Sequence, residues 1–232
     1  MPFAGFGNMK RHLDEELKKL KEKLFRMGLV VENAIGQSTA ALFERDAEKA
    51  QRVIKSDQEI NLQEIEIDEL GHELIALYQP AAVDLRLITM VLKITNDLER
   101  MGDQAVNIAE ASLIMNQNPP LKPYEYFPKM TEAVSAMVRE SLKAFMENDS
   151  EMARKILESD DTIDDYNHKI MDEVQTLLGE RPQHVRTGVS IIMISHNLER
   201  IADLATNIAE DVIYLNRGID VRHHIRERRE EE

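Results

Sequence analysis

Two acidic pairs with the same spacing occur in this chain, Glu99 with Asp103 and Glu199 with Asp203. On an α-helix, residues four apart lie on one face, about 6 Å apart along the axis, so each pair can converge on one cation or donor cluster. Oxygen ligands without sulfur suit Mg²⁺, Ca²⁺, Mn²⁺ or iron better than a structural zinc site. The pairs therefore predict metal sites. Iron, manganese and magnesium fit this preference, and zinc clusters are a further candidate.

The segments that contain the two pairs are copies of each other. Residues 98–110 read L-E-R-M-G-D-Q-A-V-N-I-A-E, residues 198–210 read L-E-R-I-A-D-L-A-T-N-I-A-E, and nine of thirteen positions are identical. Unrelated segments match at roughly one position in thirteen. A second match, Ser56-Asp57-x-x-Ile60 with Ser159-Asp160-x-x-Ile163, extends the repeat. The chain is therefore interpreted as an internal duplication.

Further oxygen-bearing side chains extend the acidic pairs into stripes along their helices. In the second predicted helix, a stripe of matching spacing could face them, whereas its counterpart in the fifth helix keeps only two acids and has Asn167 and Met171 at the other two positions. The two sites therefore cannot be identical. The candidate metal ligands are Glu99, Asp103, Glu199, Asp203, Glu64, Asp68, Asp57, Asn61, Asp160, Asp164, Asn107 and Asn207, and the stripes of the third and sixth helices end at Glu110 and Glu210.

Acidic pairs of this kind also occur in proteins without metal. A single such pair usually lies on a solvated helix face, and Arg100 with Arg200 could neutralise the carboxylates in a salt-bridge network. Glu69-x-x-His72 would fit a ferritin-like di-iron bundle, but such bundles need a second Glu-x-x-His, and Asp165-x-x-His168 is a poor substitute.

Composition and charge exclude several functions. The formal net charge of −14 disfavours nucleic acid and anionic membranes as direct partners. Cysteine is absent, which excludes disulfides and thiol chemistry. No stretch is long and apolar enough to span a membrane, and a signal peptide is not evident, so a cytoplasmic location is expected. The sequence contains no glycine-rich phosphate loop and no nucleophile motif that would indicate an enzyme.

Hydrophobic periodicity, with breaks at Pro, Gly and Asn, predicts six helices, at about 9–43, 46–77, 84–117, 127–148, 150–179 and 184–217. Three helices per repeat with short connections predict antiparallel bundles. The expected fold is all-α, with one three-helix bundle over 9–117 and a second over 127–217. Residues 1–8 and 218–232 are treated as tails, and 118–126 as the linker.

At this point the sequence resembles a known family, the PhoU phosphate-regulatory proteins. The resemblance covers nearly the whole chain and depends on several motifs taken together, of which each alone is weak. They are Arg26-Met27-Gly28, Asp57-x-x-x-Asn61-x-x-Glu64-x-x-x-Asp68, Gln79-Pro80 followed by Asp84-Leu85-Arg86, Leu98-Glu99-Arg100-x-x-Asp103 with Asn107-Ile108-Ala109-Glu110, the counterpart at 198–210, and Asp220-Val221-Arg222-His223.

The resemblance implies two three-helix bundles in a pseudo-twofold relation, with multinuclear metal clusters on paired acidic motifs. Carried over, these motifs fall at Glu64/Asp68 with Glu99/Asp103, and at Asp160/Asp164 with Glu199/Asp203. It also implies a non-enzymatic, cytoplasmic negative regulator of phosphate uptake and the phosphate-starvation response. Such a regulator is an adaptor between the ATPase subunit of the phosphate ABC transporter and a sensor histidine kinase, and reaches the membrane only through these partners.

Two alternatives belong to other classes of protein. The chain could be a metal-storage or oxidase bundle, which iron-dependent oxygen consumption would reveal. It could also be a metal-free scaffold with no effect on phosphate uptake. A homodimer is expected because small bundles with exposed helix faces often pair.

Overall fold

The computed structural model describes the backbone of residues 4–118 and 125–217, and the side chains of 11–118 and 125–216. Within these ranges the chain forms six α-helices and no strand, which confirms the all-α prediction. The helices are α1 (Ala4–Glu44), α2 (Ala47–Tyr78), α3 (Ala82–Asn116), α4 (Tyr126–Glu147), α5 (Ser150–Glu180) and α6 (Val185–Arg217), and the 3₁₀ turn Pro182–His184 precedes α6. Predictions that concern residues 1–3, 119–124 and 218–232 lie outside the described residues.

The first turn of each repeat has the same construction. Arg45 and Asn148 both adopt a left-handed conformation with φ of 55°, and each is followed by an aspartate that caps the next helix. The Asp46 side chain accepts a hydrogen bond from the backbone N–H of Lys49 at 3.0 Å. Asp149 accepts two, from the N–H groups of Glu151 and Met152. These caps satisfy helix N–H groups that have no partner within the helix. Each turn therefore joins two antiparallel helices by a short connection.

Each repeat folds as a three-helix bundle, with α1, α2 and α3 in mutual contact in the first and α4, α5 and α6 in the second. Aliphatic residues at helical spacing fill both cores. On α6 the buried positions include Ile194, Leu198, Ile201, Ala205 and Ile208. The duplication therefore produces two similar bundles, as the periodicity predicts.

The two bundles meet mainly where α3 packs against α6, and also where α1 contacts α4. Because α3 and α6 are covered both by their own bundle and by the other, they bury more of their circumference than α2 and α5 do. Between α1 and α4, Gly28 permits close contact, since a Cβ atom there would lie 2.6 Å from a methyl group of Leu142. The acidic stripes of α3 and α6 thus belong to the two most firmly held helices.

Candidate metal centre

The first acidic face lies between α2 and α3. It comprises six oxygen-bearing side chains, which are Asp57, Asn61, Glu64 and Asp68 of α2 with Glu99 and Asp103 of α3. The carboxylates interact across the two helices, since Glu64 and Asp57 are both close enough to raise the pKa of Glu99. The structure therefore brings together the two stripes that the sequence pairs.

Close approach of the two helices depends on Gly102 of α3. A Cβ atom at this position would lie 2.9 Å from the Cδ1 atom of Ile60 and 3.9 Å from the Oδ1 atom of Asp57. Glycine lets the backbones approach where a larger residue would push them apart. Asp57 is consequently held against the face of α3 that carries Asp103.

Two oxygen atoms in this face are buried and accept no hydrogen bond in the described structure, Asp57 Oδ1 and Asn61 Oδ1. The other carboxylate oxygen of Asp57 accepts a hydrogen bond from Asn61 Nδ2 at 3.0 Å. A buried acceptor without a donor is unfavourable, so both atoms fit a role as ligands of a cation.

The electrostatics of the first face also favour a cation. Partial burial raises the pKa of Glu64, Glu99 and Asp103 above the ordinary carboxyl values, and repulsion from neighbouring carboxylates raises it further. Each raised pKa means that ionisation of that carboxyl group is unfavourable in this environment. A bound metal ion would remove that repulsion.

The second acidic face, between α5 and α6, brings Asp160 and Asp164 together with Glu199 and Asp203. Burial raises the pKa of Asp160 to about 6, and the charges of Asp203 and Asp164 contribute further. Burial and the charge of Glu199 raise the pKa of Asp203. The acids that the sequence assigns to the second site therefore share one environment.

The second face departs from the first at Asn167, Met171 and His196. Asn167 accepts a hydrogen bond from the buried hydroxyl of Ser195 at 2.6 Å, which directs its amide oxygen into the bundle. His196, on the other side, lies 2.9 Å from Glu199 through its Nδ1 atom. The second face thus lacks two of the predicted ligands of the first face and has a histidine beside it.

Among the described residues, no three His, Asp or Glu side chains are arranged closely enough to form a complete metal site. The acidic faces are therefore not pre-formed cages. Mutual repulsion keeps uncompensated carboxylates apart, and their donor set of hard oxygen atoms still suits a divalent ion or iron. Metal binding stays a prediction at both faces.

The two asparagines that follow the acidic pairs by one helical turn lie in different surroundings. Asn107 is exposed, one turn beyond Asp103. Asn207 lines a cavity of about 320 Å³ at the junction of α3 and α6, together with Arg100, Arg200 and Asp203. This cavity connects the second acidic face with the contact between the repeats.

The alternative of a salt-bridge network is only weakly supported. Arg100 is directed to Asp97, with 3.8 Å between Nη1 and Oδ1, and within the described part of the chain it forms no ion pair with Glu99 or Asp103. Arg200 also acts on Asp203 and lowers its pKa, but this effect is smaller than the effects of burial and of Glu199 that raise it. The arginines next to the motif therefore leave most of the acidic charge uncompensated.

The ferritin-like alternative requires Glu69 and His72 to point into a bundle core. Both side chains are exposed, and His72 Nδ1 lies 2.8 Å from the backbone oxygen of Asp68. Asp165 and His168 are exposed as well. Neither pair can line the interior of its bundle, so the di-iron interpretation is not supported.

Sequence reasoning missed one buried polar cluster at the contact between the repeats. Asp97 of α3 and Asp211 of α6 are only 5% and 4% exposed, and Lys93 Nζ lies 2.6 Å from Asp211 Oδ1. Burial, with the charge of Asp211, raises the pKa of Asp97 to about 6. The signal was the position of Asp97, three residues after Ile94 and four before Met101 on the apolar face of α3, but Asp211 is 114 positions away and only the fold brings the two acids together.

The fold and the repeated acidic faces define a class of helical proteins built from two PhoU domains. The model of that domain family matches residues 24–112 and again residues 127–212, one match in each bundle. The chain therefore belongs to the PhoU family.

Similar proteins agree with this assignment. A phosphate-specific transport system accessory protein PhoU homolog from Aquifex aeolicus is 42% identical over 94% of this chain and 99% of its own. A homolog of the same description from Pseudomonas putida is 37% identical over 93% of this chain and 85% of its own.

Solved structures show the same fold. The crystal structure of PhoU from Pseudomonas aeruginosa superimposes with a TM-score of 0.86 at 36% identity and covers 89% of this chain and 99% of its own. The crystal structure of the phosphate transport system regulatory protein PhoU from Streptococcus pneumoniae superimposes with a TM-score of 0.85 at 30% identity. It covers 90% of this chain and 99% of its own. In the described part of this chain, no helix is long and apolar enough to cross a membrane.

Proposed function

We propose that this protein is a negative regulator of phosphate uptake and of the phosphate-starvation response. It acts in the cytoplasm as an adaptor between the ATPase subunit of a phosphate transporter and a sensor histidine kinase, and it is not an enzyme. Family membership supports this role, because relatives over nearly the whole chain are named accessory proteins of a phosphate-specific transport system.

The repeated acidic faces are the observation that carries the mechanism. Each places carboxylates of two different helices within range of one another, α2 with α3 and α5 with α6. A cation at such a face would neutralise the repulsion and join the two helices. At the first face the cation would be held by Asp57, Asn61, Glu64 and Asp68 of α2 with Glu99 and Asp103 of α3. At the second face it would be held by Asp160 and Asp164 of α5 with Glu199 and Asp203 of α6. Iron, manganese, magnesium and zinc remain the candidates.

Deletion of the gene tests the regulatory role. We expect phosphate uptake and alkaline phosphatase to become constitutive in phosphate-rich medium, and a plasmid copy to restore repression. Repression that persists after deletion would contradict the proposed function. The same result would favour the passive scaffold.

Elemental analysis of the purified protein tests the metal sites. Wild type is compared with a variant in which Glu99, Asp103, Glu199 and Asp203 are all changed to alanine, and circular dichroism checks that the variant is helical. We expect metal in the wild type and its loss from a folded variant. Equal metal in both, or none in either, would return these carboxylates to salt-bridge or docking roles.

Two further measurements address the oligomer and the storage alternative. Light scattering across a concentration series tests the expected homodimer, for which a constant monomer mass would be contrary evidence. Iron-dependent oxygen consumption would favour an oxidase, and its absence from iron-loaded protein agrees with a regulator.

A further inference from the structure

Two arginines, one from each repeat, line the cavity at the junction of α3 and α6. Arg100 and Arg200 hold equivalent positions in the repeated motif, and both border the volume of about 320 Å³. Lys93 of α3 pairs with Asp211 of α6. Arg100, further along α3, shares the cavity with Asn207, which comes earlier on α6, so the two helices run antiparallel. The two arginines consequently reach the cavity from opposite ends.

Both guanidinium groups have N–H donors that the described residues do not use. An arginine side chain carries five such donors. Among the described residues, Arg200 donates no hydrogen bond and forms no ion pair. Arg100 has one ion-pair partner there, Asp97, and the 3.8 Å between Nη1 and Oδ1 is too long for a hydrogen bond. The donors of both arginines are therefore available to a ligand in the cavity.

Two positive charges at one cavity favour a negatively charged ligand. Arginine stays protonated in proteins, so loss of a proton cannot relieve the repulsion between the two groups. Among the described lining residues the one acid is Asp203, which balances only one of the two charges. The Asp203 carboxylate also belongs to the second acidic face, where its charge adds to the effect of burial in raising the pKa of Asp160. The lining residues thus have a net positive charge, in a chain whose formal net charge is −14.

The remaining walls suit a small polar anion. Asn207 is half-buried, and its side-chain amide can donate through Nδ2. Leu204 is only 4% exposed and provides an apolar wall, which strengthens the attraction between charges beside it. The hydroxyl of Thr206 is already used, since it donates to the backbone oxygen of Asp203 at 2.7 Å. The volume lies near the lower end of the range for small-molecule sites, about 300–1,000 Å³.

The arrangement of these donors selects the shape of the anion. The N–H fork of an arginine matches the paired oxygen atoms of a carboxylate or a phosphoryl group. A planar carboxylate has two oxygens, which one fork occupies, whereas a tetrahedral anion can accept from forks at opposite ends. We propose that the cavity binds a tetrahedral oxyanion, free phosphate or the phosphoryl group of a small molecule, between Arg100 and Arg200, with Asn207 as a further donor. The bound anion joins the two repeats, and this inference goes beyond the regulatory role proposed above.

Isothermal titration of the full-length protein tests this site, with inorganic phosphate and pyrophosphate as separate probes. The first variant combines Arg100→Gln with Arg200→Gln. The second combines Arg100→Lys with Arg200→Lys, which keeps both charges and removes both forks. The matched control combines Arg154→Gln with Lys155→Gln and removes the same charge as the first variant from exposed positions of α5. Circular dichroism checks that all variants are helical.

Wild type and the control should bind the probes with affinities within about twofold of each other. Both arginine variants should bind at least about tenfold more weakly, because each loses charge-assisted hydrogen bonds. Tighter binding of phosphate supports the free ion as the ligand, and tighter binding of pyrophosphate supports the phosphoryl group of a larger molecule. The proposal would be overturned if wild type bound neither probe, if the control weakened binding equally, or if the lysine variant bound like wild type.

A second titration separates this cavity from the neighbouring acidic face. A metal ion at that face could also hold an anion, since Asp203 borders both. Wild type is therefore titrated again after treatment with EDTA and removal of the chelator by dialysis. Unchanged affinity supports the arginine site, and loss of binding would overturn the proposal in favour of an anion held by metal. The gene deletion remains an independent test of the regulatory function.

Discussion

The first and second acidic faces share one helix motif and differ in the helix opposite. Glu99 and Asp103 on α3 correspond to Glu199 and Asp203 on α6, whereas Glu64 and Asp68 on α2 correspond to Asn167 and Met171 on α5. The motif that is kept lies on the helices that are packed on two sides. The stripe that has changed lies on the outer helices, where fewer neighbours constrain a substitution.

One contact shows how the second face was altered. In the second bundle the buried hydroxyl of Ser195 donates to Asn167, whereas in the first the corresponding Thr95 donates to the backbone oxygen of Val91 on its own helix. Asn167 is therefore committed to the interior of the bundle. We expect the first face to be the stronger metal site, and the following predictions test this difference between the faces.

The largest effect is expected when the paired acids are removed from one face at a time. Glu99→Gln with Asp103→Asn should remove most of the bound metal, and Glu199→Gln with Asp203→Asn should remove less. Loss of two direct ligands should exceed the roughly 10–100-fold loss of affinity that follows removal of an outer-shell partner. Isothermal titration with Mn²⁺ measures both affinities. Equal losses from the two variants would refute the ranking.

A large effect on stability is expected at Asp97, whose counterpart in the second repeat is Asn197. Its pKa is raised to about 6 when folded, from an ordinary value of 3.8. The native state then holds more protons than the unfolded state between these values, so stability falls as the pH rises through that window. Asp97→Asn should raise the free energy of unfolding at pH 7 by about 1–3 kcal/mol and leave it nearly unchanged at pH 3.

Urea denaturation at both pH values measures this effect. The reciprocal change Asn197→Asp is the matched control and should destabilise the protein at pH 7. A stability gain for Asp97→Asn that is the same at pH 3 would contradict the assignment of the effect to ionisation.

A smaller effect is expected when the second face is repaired. Met171→Asp places a carboxylate where the first face has Asp68, and it should strengthen metal binding at the second face by about tenfold, or 1.4 kcal/mol. The variant is titrated with Mn²⁺ in a background that carries Glu99→Gln and Asp103→Asn, so that only the second face responds. Unchanged affinity would show that the missing carboxylate is not what distinguishes the two faces.

The smallest effect, and no difference between the repeats, is expected at the helix caps. Asp46→Ala and Asp149→Ala each remove a side-chain acceptor for helix N–H groups and should cost about 1 kcal/mol. Thermal denaturation of the two variants measures both costs. A cost at one cap several times that at the other would show that the two turns are not energetically equivalent.

Much of the fold followed from local sequence. Helical periodicity and breaks at Asp46, Pro80 and Asn148 predicted the six helices with small errors at their ends, because each signal acts within one or two turns. The chief difference is α1, which begins at Ala4, earlier than the predicted start at about residue 9. The pairing of the α2 stripe with the α3 stripe was expected from their matching spacing and from the family resemblance, and the carboxylates of the two helices do lie close together.

The sequence by itself determined the duplication, the helical period and the acids at Glu99, Asp103, Glu199 and Asp203, because all of these are regularities along the chain. Only the tertiary structure decided that Asp97 is buried near Asp211, that Lys93 pairs with Asp211, and that Arg100 borders a cavity with α6. Such contacts join residues from different helices, and their geometry depends on how the helices are rotated and packed. Periodicity gives the face of a helix, but not the neighbour that the face meets.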